Sequence, residues 1–523
     1  MDAIAQLILC LLWLIYRIFL QLLIGNGAMG YWSLACDILV IFVLITSGGF
    51  SQAVSRITFN AHKRHDAVNE YGILRYALLT SLIFGAVSSV LLYLLAPQIS
   101  LILYGSMLQS VAASLRVMAP AVLCMSISGA LRGYYYGIGT TMPGRTSQFL
   151  FVIVSFIGSI LSLTFIRDKE AVYLAGAGSF GILFGSIASM LLLLAIHLIY
   201  RQSIIRSARK DMLHTENSYS VFLKSFSAGF RPFIVTTCGI AVFLLADAAA
   251  YSIFTGINRY DAEVTTALYG IYTGKYMLIL FIPLIILITH LPKSVAEISG
   301  SYMRGESITL SILMQKCMRY AMIIAIPAGV TAAVAGDAFC GMFFGDFTAL
   351  TRKMLLAGAP LVICASYAAS ICMILSGIDR LKSILISGLA AFVLHMVFLV
   401  ILLYYSDMNI YAVLYSDTIF AFTFSALCTL VLLRHSSYQQ EYMRSFVLPS
   451  AASAVMAAAQ FLIWHGLEGT EVPRRAAALI TVLLSVFIYT AALILFRGIK
   501  QEEMREYPLG KALAALAVKL HLY

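Results

Sequence analysis

Eight ionisable residues sit inside or at the ends of long apolar runs: Arg17, Asp37, Arg132, Arg231, Asp247, Lys275, His395 and Asp417. An ionisable group at membrane depth costs a few kcal/mol or more, so each needs a reason to be there. Arg17, two-thirds along the first run and beside Tyr16, and Lys275, inside the eighth, are the deep cations. Facing one another across a central cavity, they would hold an anion such as a phosphate or pyrophosphate. The competing reading is that they snorkel to the nearer interface, or pair with Asp37 in the second run or Asp247 at the end of the seventh. Arg132, in LRGYYYG near the inner end of the fourth run, and Arg231, which opens the seventh, read as snorkelling or topological charges. Arg132, Arg231 and Asp247 are therefore candidates for a structural or coupling role. His395 reads as a hydrogen-bonded packing residue. Asp417 receives no role.

Enzyme chemistry is not indicated. The chain has no GxSxG, Walker A or HExxH, and no loop-borne carboxylate pair of the kind a metal-dependent glycosyltransferase needs. HKRH at 62–65 is a loop charge cluster with only Asp66 as an adjacent acid. The nine cysteines lie within or at the edges of apolar segments and form no CxxC, which predicts small buried hydrophobes, neither disulfides nor metal ligands. No metal and no cofactor is expected. Without an ATPase site, a transporter must draw on an ion gradient, the membrane potential or the substrate gradient itself.

The elements that position these residues follow from composition. Of 523 residues, 61% are hydrophobic and 11% charged, against about 25% charged in a soluble domain. Apolar runs long enough for helices to cross about 30 Å of hydrocarbon recur along the whole chain. Their approximate spans are 3–24, 31–55, 74–96, 114–137, 146–166, 173–200, 221–247, 266–291, 314–336, 352–376, 382–405, 410–434, 445–466 and 475–497. Alternating strand-length segments are absent, which argues against a membrane β-barrel. The fold class is thus an all-α integral membrane protein with about fourteen transmembrane helices. The N-terminal MDAIAQLILC has no basic n-region and no evident cleavage site, so the first run is read as a retained helix.

With the N-terminus in the cytoplasm, the basic residues collect in the loops that share its side. Arg56, Lys63, Arg64 and Arg75 begin the series, and Arg497, Lys500 and Arg505 end it. This positive-inside pattern predicts a multi-pass protein of the cytoplasmic membrane with both termini cytoplasmic. It also accounts for the net charge of +11 through topology and attraction to anionic headgroups; no basic stripe with interleaved aromatics suggests nucleic acid. The chain repeats itself. Pro120 and Pro360, Gly105 and Gly345, and Gly137 and Gly377 are each 240 residues apart, and most of the spans superpose at that shift. Two parallel six-helix bundles are expected, with a substrate path between them. The expected domains are an N-terminal lobe at 1–200, a cytoplasmic linker at 201–220, a C-terminal lobe at 221–434, two further helices within 445–497, and a cytoplasmic tail at 498–523. In that tail Leu509, Leu513, Leu516 and Leu520 share one helical face, which suggests an amphipathic helix on the membrane surface, or a frayed terminus. Gly181 and Gly185 form a GxxxG for close helix packing. Tyr134, Tyr135 and Tyr136 read as an interfacial aromatic belt.

Three segments carry a family resemblance: GGFSQAVSR at 48–56, the stretch APAVLCMSISGALRGYYYGIGTTMPGRTSQ at 119–148, and YGIYTGKYMLILFIPLIILITHLPKSVAEIS at 269–299. The signatures are RGxxxG with a proline six residues on, and YGxxxGK followed by Pro283 and Pro292. Together they resemble the SpoVB/MurJ-type lipid-linked polysaccharide flippases of the MOP (MATE-like) superfamily, through nearly the whole chain and with helices grouped six, six and two. The resemblance implies alternating access by two six-helix lobes, and export of an undecaprenyl-pyrophosphate-linked sugar, lipid II or a relative, to the outer leaflet. It implies a cationic cavity for the pyrophosphate built from Arg17, Arg56 and Lys275, with Asp37 as acidic partner. The eighth-helix cation is a lysine here, a point charge without an arginine's fork. Besides the lipid-linked oligosaccharide, membrane lipids and cell-wall synthesis proteins are expected partners, and nucleic acid is not. Membership of the spore-associated branch would imply another cell-wall lipid as cargo, or a role assisting another flippase.

Two other function classes stay open. A cation-coupled drug antiporter of the same superfamily would depend on Asp37 and Asp247, whereas a flippase would depend on Arg17 and Lys275. A non-transporting scaffold of a cell-wall or spore-wall synthesis complex would tolerate loss of every cavity charge.

Overall fold

The computed structural model describes residues 2–105, 110–166, 170–211, 215, 217–258, 260–436, 438–468 and 471–499. Among them every regular element is helical. The elements are α1 (Asp2–Val43), α2 (Phe50–Lys63), α3 (Ala67–Tyr104), α4 (Val111–Gly137), α5 (Met142–Phe165), α6 (Ala171–Lys210), α7 (Tyr219–Ile257) and α8 (Ala262–Ile271). They continue with α9 (Met277–Met303), α10 (Ser307–Val334), α11 (Gly336–Phe344), α12 (Ala349–Gly377), α13 (Leu381–Tyr405), α14 (Ile410–His435), α15 (Leu448–Glu468) and α16 (Arg474–Leu495). The proposed amphipathic tail helix lies outside the described residues.

Among the described residues, twelve helical stretches are long and apolar enough to cross a membrane. The first, Ile4–Lys63, covers 60 residues, about three times the ~20 that one crossing needs. It holds both of the first two expected spans, broken inside α1 at Gly25, whose φ of 79° only glycine adopts freely. The seventh expected span is present as α7. The outward faces are apolar: on α3, Leu79, Leu82, Ile83, Val87, Val90 and Leu94 are all exposed at helical spacing, as hydrocarbon contact requires.

The chain separates into two compact units, one spanning Ile8–Gly274 and the other beginning at Lys275 and including the N-terminal residues to Leu7. This boundary is not the one expected near 201–220. In the first unit α7 packs on α2 and α3, with Phe50, Phe222, Phe226 and Phe230 forming a ring stack between helices. The linker before α7 is also tied down there, because Asn69 donates to the Thr215 carbonyl and accepts from the Asn217 amide. In the second unit α10 and α12 form the centre, packed on α9 and α14, and α15 and α16 pack together, with α15 against α10.

The sequence repeat has structural counterparts. Pro120 and Pro360 both sit inside helices, α4 and α12, and those helices end on Gly137 and Gly377. Gly105 and Gly345 both follow a helix end with positive φ, 73° and 66°. Within the fifth and sixth helices, Gly181 lies against the Ser155 carbonyl and Gly185 against that of Phe151, so the GxxxG is a packing seam. The eight described cysteines are free thiols. The tyrosine belt is not seen: Tyr134 and Tyr135 are buried in the core around Ala130 and Phe222, because α4 is enclosed by neighbours at that level.

Candidate functional site

Two short π turns interrupt the helices that carry the candidate residues. One, Leu44–Gly49, joins α1 to α2, and the other, Tyr272–Tyr276, joins α8 to α9 and contains Lys275. Such insertions are found disproportionately at functional sites, because the extra residue redirects side chains and frees backbone groups.

In the first unit, glycines bring α1 and α8 into backbone contact. A Cβ on Gly30 would meet the Thr266 carbonyl, one on Gly270 the Asn26 carbonyl, and one on Gly274 the Gln21 amide oxygen. Gly270 and Gly274 are the glycines of YGxxxGK, so the motif has a packing reason. This seam places Arg17 beside the turn that follows α8. Its Nη2 donates to the Thr273 carbonyl at 3.3 Å, and its guanidinium lies over the Trp32 ring, 4.5 Å from the centroid. Arg17 Nε is buried with no hydrogen-bond acceptor. Thr273 Oγ1 donates to Ser33 Oγ at 2.9 Å. One turn after Ser33, Asp37 accepts a hydrogen bond from the buried Tyr269 hydroxyl at 2.9 Å. Asp37 therefore takes its hydrogen bond from a tyrosine; among the described residues it forms no ion pair with Arg17. Asp247 is buried on α7 one turn before Tyr251, which stacks on Tyr269 at 6.0 Å.

A second glycine seam runs along α4. A Cβ on Gly129 would come within 2.5 Å of the Ser47 carbonyl, and one on Gly133 within 2.6 Å of the Ser51 carbonyl. One on Gly137 would come within 2.5 Å of Thr58 Cβ. These residues, four apart, lay α4 directly on the first π turn and α2. Arg132, adjacent to Gly133, thereby reaches the π turn, where its Nη2 donates to Ser47 Oγ at 2.8 Å. It is not a solvent-facing topological charge, but lines a cavity of about 340 Å³ with Ser51, Gln52, Ser55 and Gln148. An adjoining cavity of about 690 Å³ is lined by Gln52 and Ser55 again, and by Arg56. Tyr136 and Phe233 wall both. Among the described residues no carboxylate lines either one. Arg56 is exposed. Arg231, exposed on α7, lines neither cavity.

Lys275 belongs to the second unit. It is 8% exposed. Its partner is Asp346, in the segment between α11 and α12, with Nζ 2.5 Å from Oδ2. Asp346 is held in turn by the Thr348 amide at 3.1 Å and the Thr351 hydroxyl at 3.2 Å. Burial pushes the Asp346 carboxyl up, but the Lys275 ammonium and the two bonds from Thr348 outweigh it and leave the group below the usual aspartate value. His395 and Asp417, on α13 and α14, are both buried in this unit, with His395 between the rings of Phe392 and Phe420.

The second unit also has an apolar cavity of about 410 Å³ between α9, α10 and α16, lined among others by Ile282, Pro283, Ile324, Pro327, Val486 and Leu493. Among its few polar members Gln460 Nε2 donates to Thr331 Oγ1 at 2.9 Å, and most of the wall is hydrocarbon.

No family model matches the chain. The lipid II flippase MurJ of Bacillus subtilis (strain 168) is 22% identical to it over 402 residues, which are 74% of this chain and 73% of that protein. Among solved structures, the inward closed conformation of a lipid II flippase MurJ matches with a TM-score of 0.68 at 15% identity, covering 94% of this chain and 98% of that one. An inward-facing multidrug resistance MATE family transporter of the MOP superfamily matches with a TM-score of 0.66 at 12% identity, covering 82% of this chain and 97% of that one. The chain thus has the fold of MOP-superfamily transporters.

Proposed function

We propose that this protein is a flippase that carries an undecaprenyl-pyrophosphate-linked cell-wall precursor, lipid II or a related glycan lipid, across the bacterial cytoplasmic membrane. The observation that carries the reading is the pair of adjoining polar cavities of the first unit, whose charged members among the described residues are the guanidinium groups of Arg56 and Arg132. Such a pair attracts a phosphate-bearing headgroup and repels a cationic drug. The apolar cavity of the second unit suits an acyl or prenyl chain, and the likeness to MurJ over nearly the whole chain supports the same substrate class. Arg56 and Arg17 are the headgroup-binding residues of the first unit, Lys275 that of the second, and Asp37 sets the charge balance near Arg17. Both termini lie in the cytoplasm, and transport proceeds by alternating access. The chain is a carrier, with no covalent chemistry of its own.

The test is rescue of a bacterium whose only lipid II flippase can be shut off. Growth and outer-leaflet lipid II are measured together for the parent, Arg17→Ala, Arg56→Ala and Lys275→Ala at equal membrane abundance. Rescue by the parent and not by the variants is expected. No rescue by a well-expressed parent sinks the lipid II reading.

The half-buried Asp37, bonded to the buried Tyr269, favours one alternative, a cation-coupled antiporter, since such a transporter needs an acid inside the membrane to take up its coupling ion. In that case Asp37→Asn abolishes drug export, and the arginine variants do not.

A further inference from the structure

Arg132 lends its charge to the cavity, but no contact of its own has been assigned to it so far. The glycine seam of α4 and the π turn Leu44–Gly49 hold it against Ser47. A guanidinium carries five N–H donors in a rigid fork and stays charged at any physiological pH. Ser47 is neutral and takes a single bond, and among the described residues Arg132 forms no ion pair. The positive charge is thus left for something that enters the cavity.

The cavity says what kind of group that is. Ser51, Gln52, Ser55 and Gln148 line it with hydroxyls and amides suited to a sugar. Through Gln52 and Ser55 it runs on into the larger cavity at Arg56.

We propose that Arg132 reads a carboxylate on the glycan of the substrate while Arg56 holds the diphosphate, which makes Arg132 a specificity-determining residue. This assignment rests on the lipid-linked glycan reading above and takes a substrate whose sugar carboxyl is free rather than amide-linked to a peptide. A fork matches a carboxylate through two parallel hydrogen bonds, which a lysine cannot supply.

The test uses two soluble probes that share a diphosphate and an N-acetylated sugar. UDP-N-acetylglucosamine lacks the carboxylate, and UDP-N-acetylmuramic acid carries one on its lactyl ether. Their dissociation constants are measured on the purified full-length chain in detergent. The parent should bind the muramic acid nucleotide about tenfold tighter, the scale of one charge-assisted pair. Arg132→Gln should erase that preference and leave the affinity for UDP-N-acetylglucosamine unchanged, with Arg132→Lys intermediate. Arg56→Gln should weaken both probes equally. A purely structural Arg132 predicts something else: Ser47→Ala and Arg132→Gln would lower the melting temperature together while the preference survives, and that result overturns the proposal. So does a parent that shows no preference or binds neither nucleotide. If the preference depends on Arg132 while the rescue assay fails, the flippase reading falls and the anion-reading role of Arg132 stands.

Discussion

Lys275 and Asp346 form a buried ion pair, Nζ to Oδ2 at 2.5 Å, with side chains 10% and 12% exposed. An anion that binds Lys275 must therefore displace a carboxylate already seated there, or share the ammonium with it.

Removing one partner of a buried pair strands the other, at about 3 kcal/mol or more. Lys275→Ala should accordingly lower the melting temperature of the detergent-purified protein, and Lys275→Ala/Asp346→Asn should recover most of the loss. If the lysine also binds substrate, the double variant will be stable and still fail the rescue assay. A double variant that is stable and active assigns Lys275 a purely structural role.

The same pair has a pH signature. The Asp346 carboxyl lies below its ordinary value in the folded chain. Its contribution is then complete above the unfolded aspartate value of about 3.9 and is lost as pH falls through the lower folded one. Thermal stability should be insensitive to this pair from about pH 7 to pH 5 and decline below about pH 4. Asp346→Asn should be less stable than the parent at neutral pH and show a smaller acid-dependent decline; equal acid slopes would contradict the assignment.

Tyr269 is the hydrogen-bond donor to Asp37. Tyr269→Phe leaves that acceptor one bond short in a partly buried setting, a loss of about 1–3 kcal/mol. A lower melting temperature is expected, with rescue retained if the arginines bind the substrate. Loss of transport at unchanged stability would instead point to a proton or cation carried at Asp37.

Gly270 and Gly133 face backbone atoms of the neighbouring helix. Gly270→Leu or Gly133→Leu should cost at least the 1–3 kcal/mol typical of overpacking and reduce the amount of folded protein in the membrane. Wild-type abundance of either variant would mean that the seam opens readily.

Much of this was legible in the residues. Span lengths follow from hydropathy alone, and the paired positions at Pro120 and Pro360 recur as prolines inside α4 and α12. The glycines of RGxxxG and YGxxxGK were visible as motifs, and the structure gives their reason in helix seams. Partnerships were not legible. Asp346 lies 71 residues from Lys275 and Ser47 lies 85 from Arg132, and no local pattern marks either. A GDF that follows an apolar run looks like any loop. The boundary between the two compact units falls inside a continuous apolar stretch, at Gly274 and Lys275, where composition does not change.

The π turn Leu44–Gly49 has a consequence for inheritance. It holds one residue more than an uninterrupted α-helix would use, so a single-codon deletion there can be absorbed by the backbone as ordinary helix. Six residues of π turn sweep about the same angle as five of α-helix, so the side chains of α2 would keep their direction, with Arg56 in its cavity and Thr58 on the glycine face of α4. What the deletion removes is the local geometry of the turn itself, where Ser47 meets Arg132. Single-residue length changes among its descendants should therefore spare the fold and be felt at Arg132.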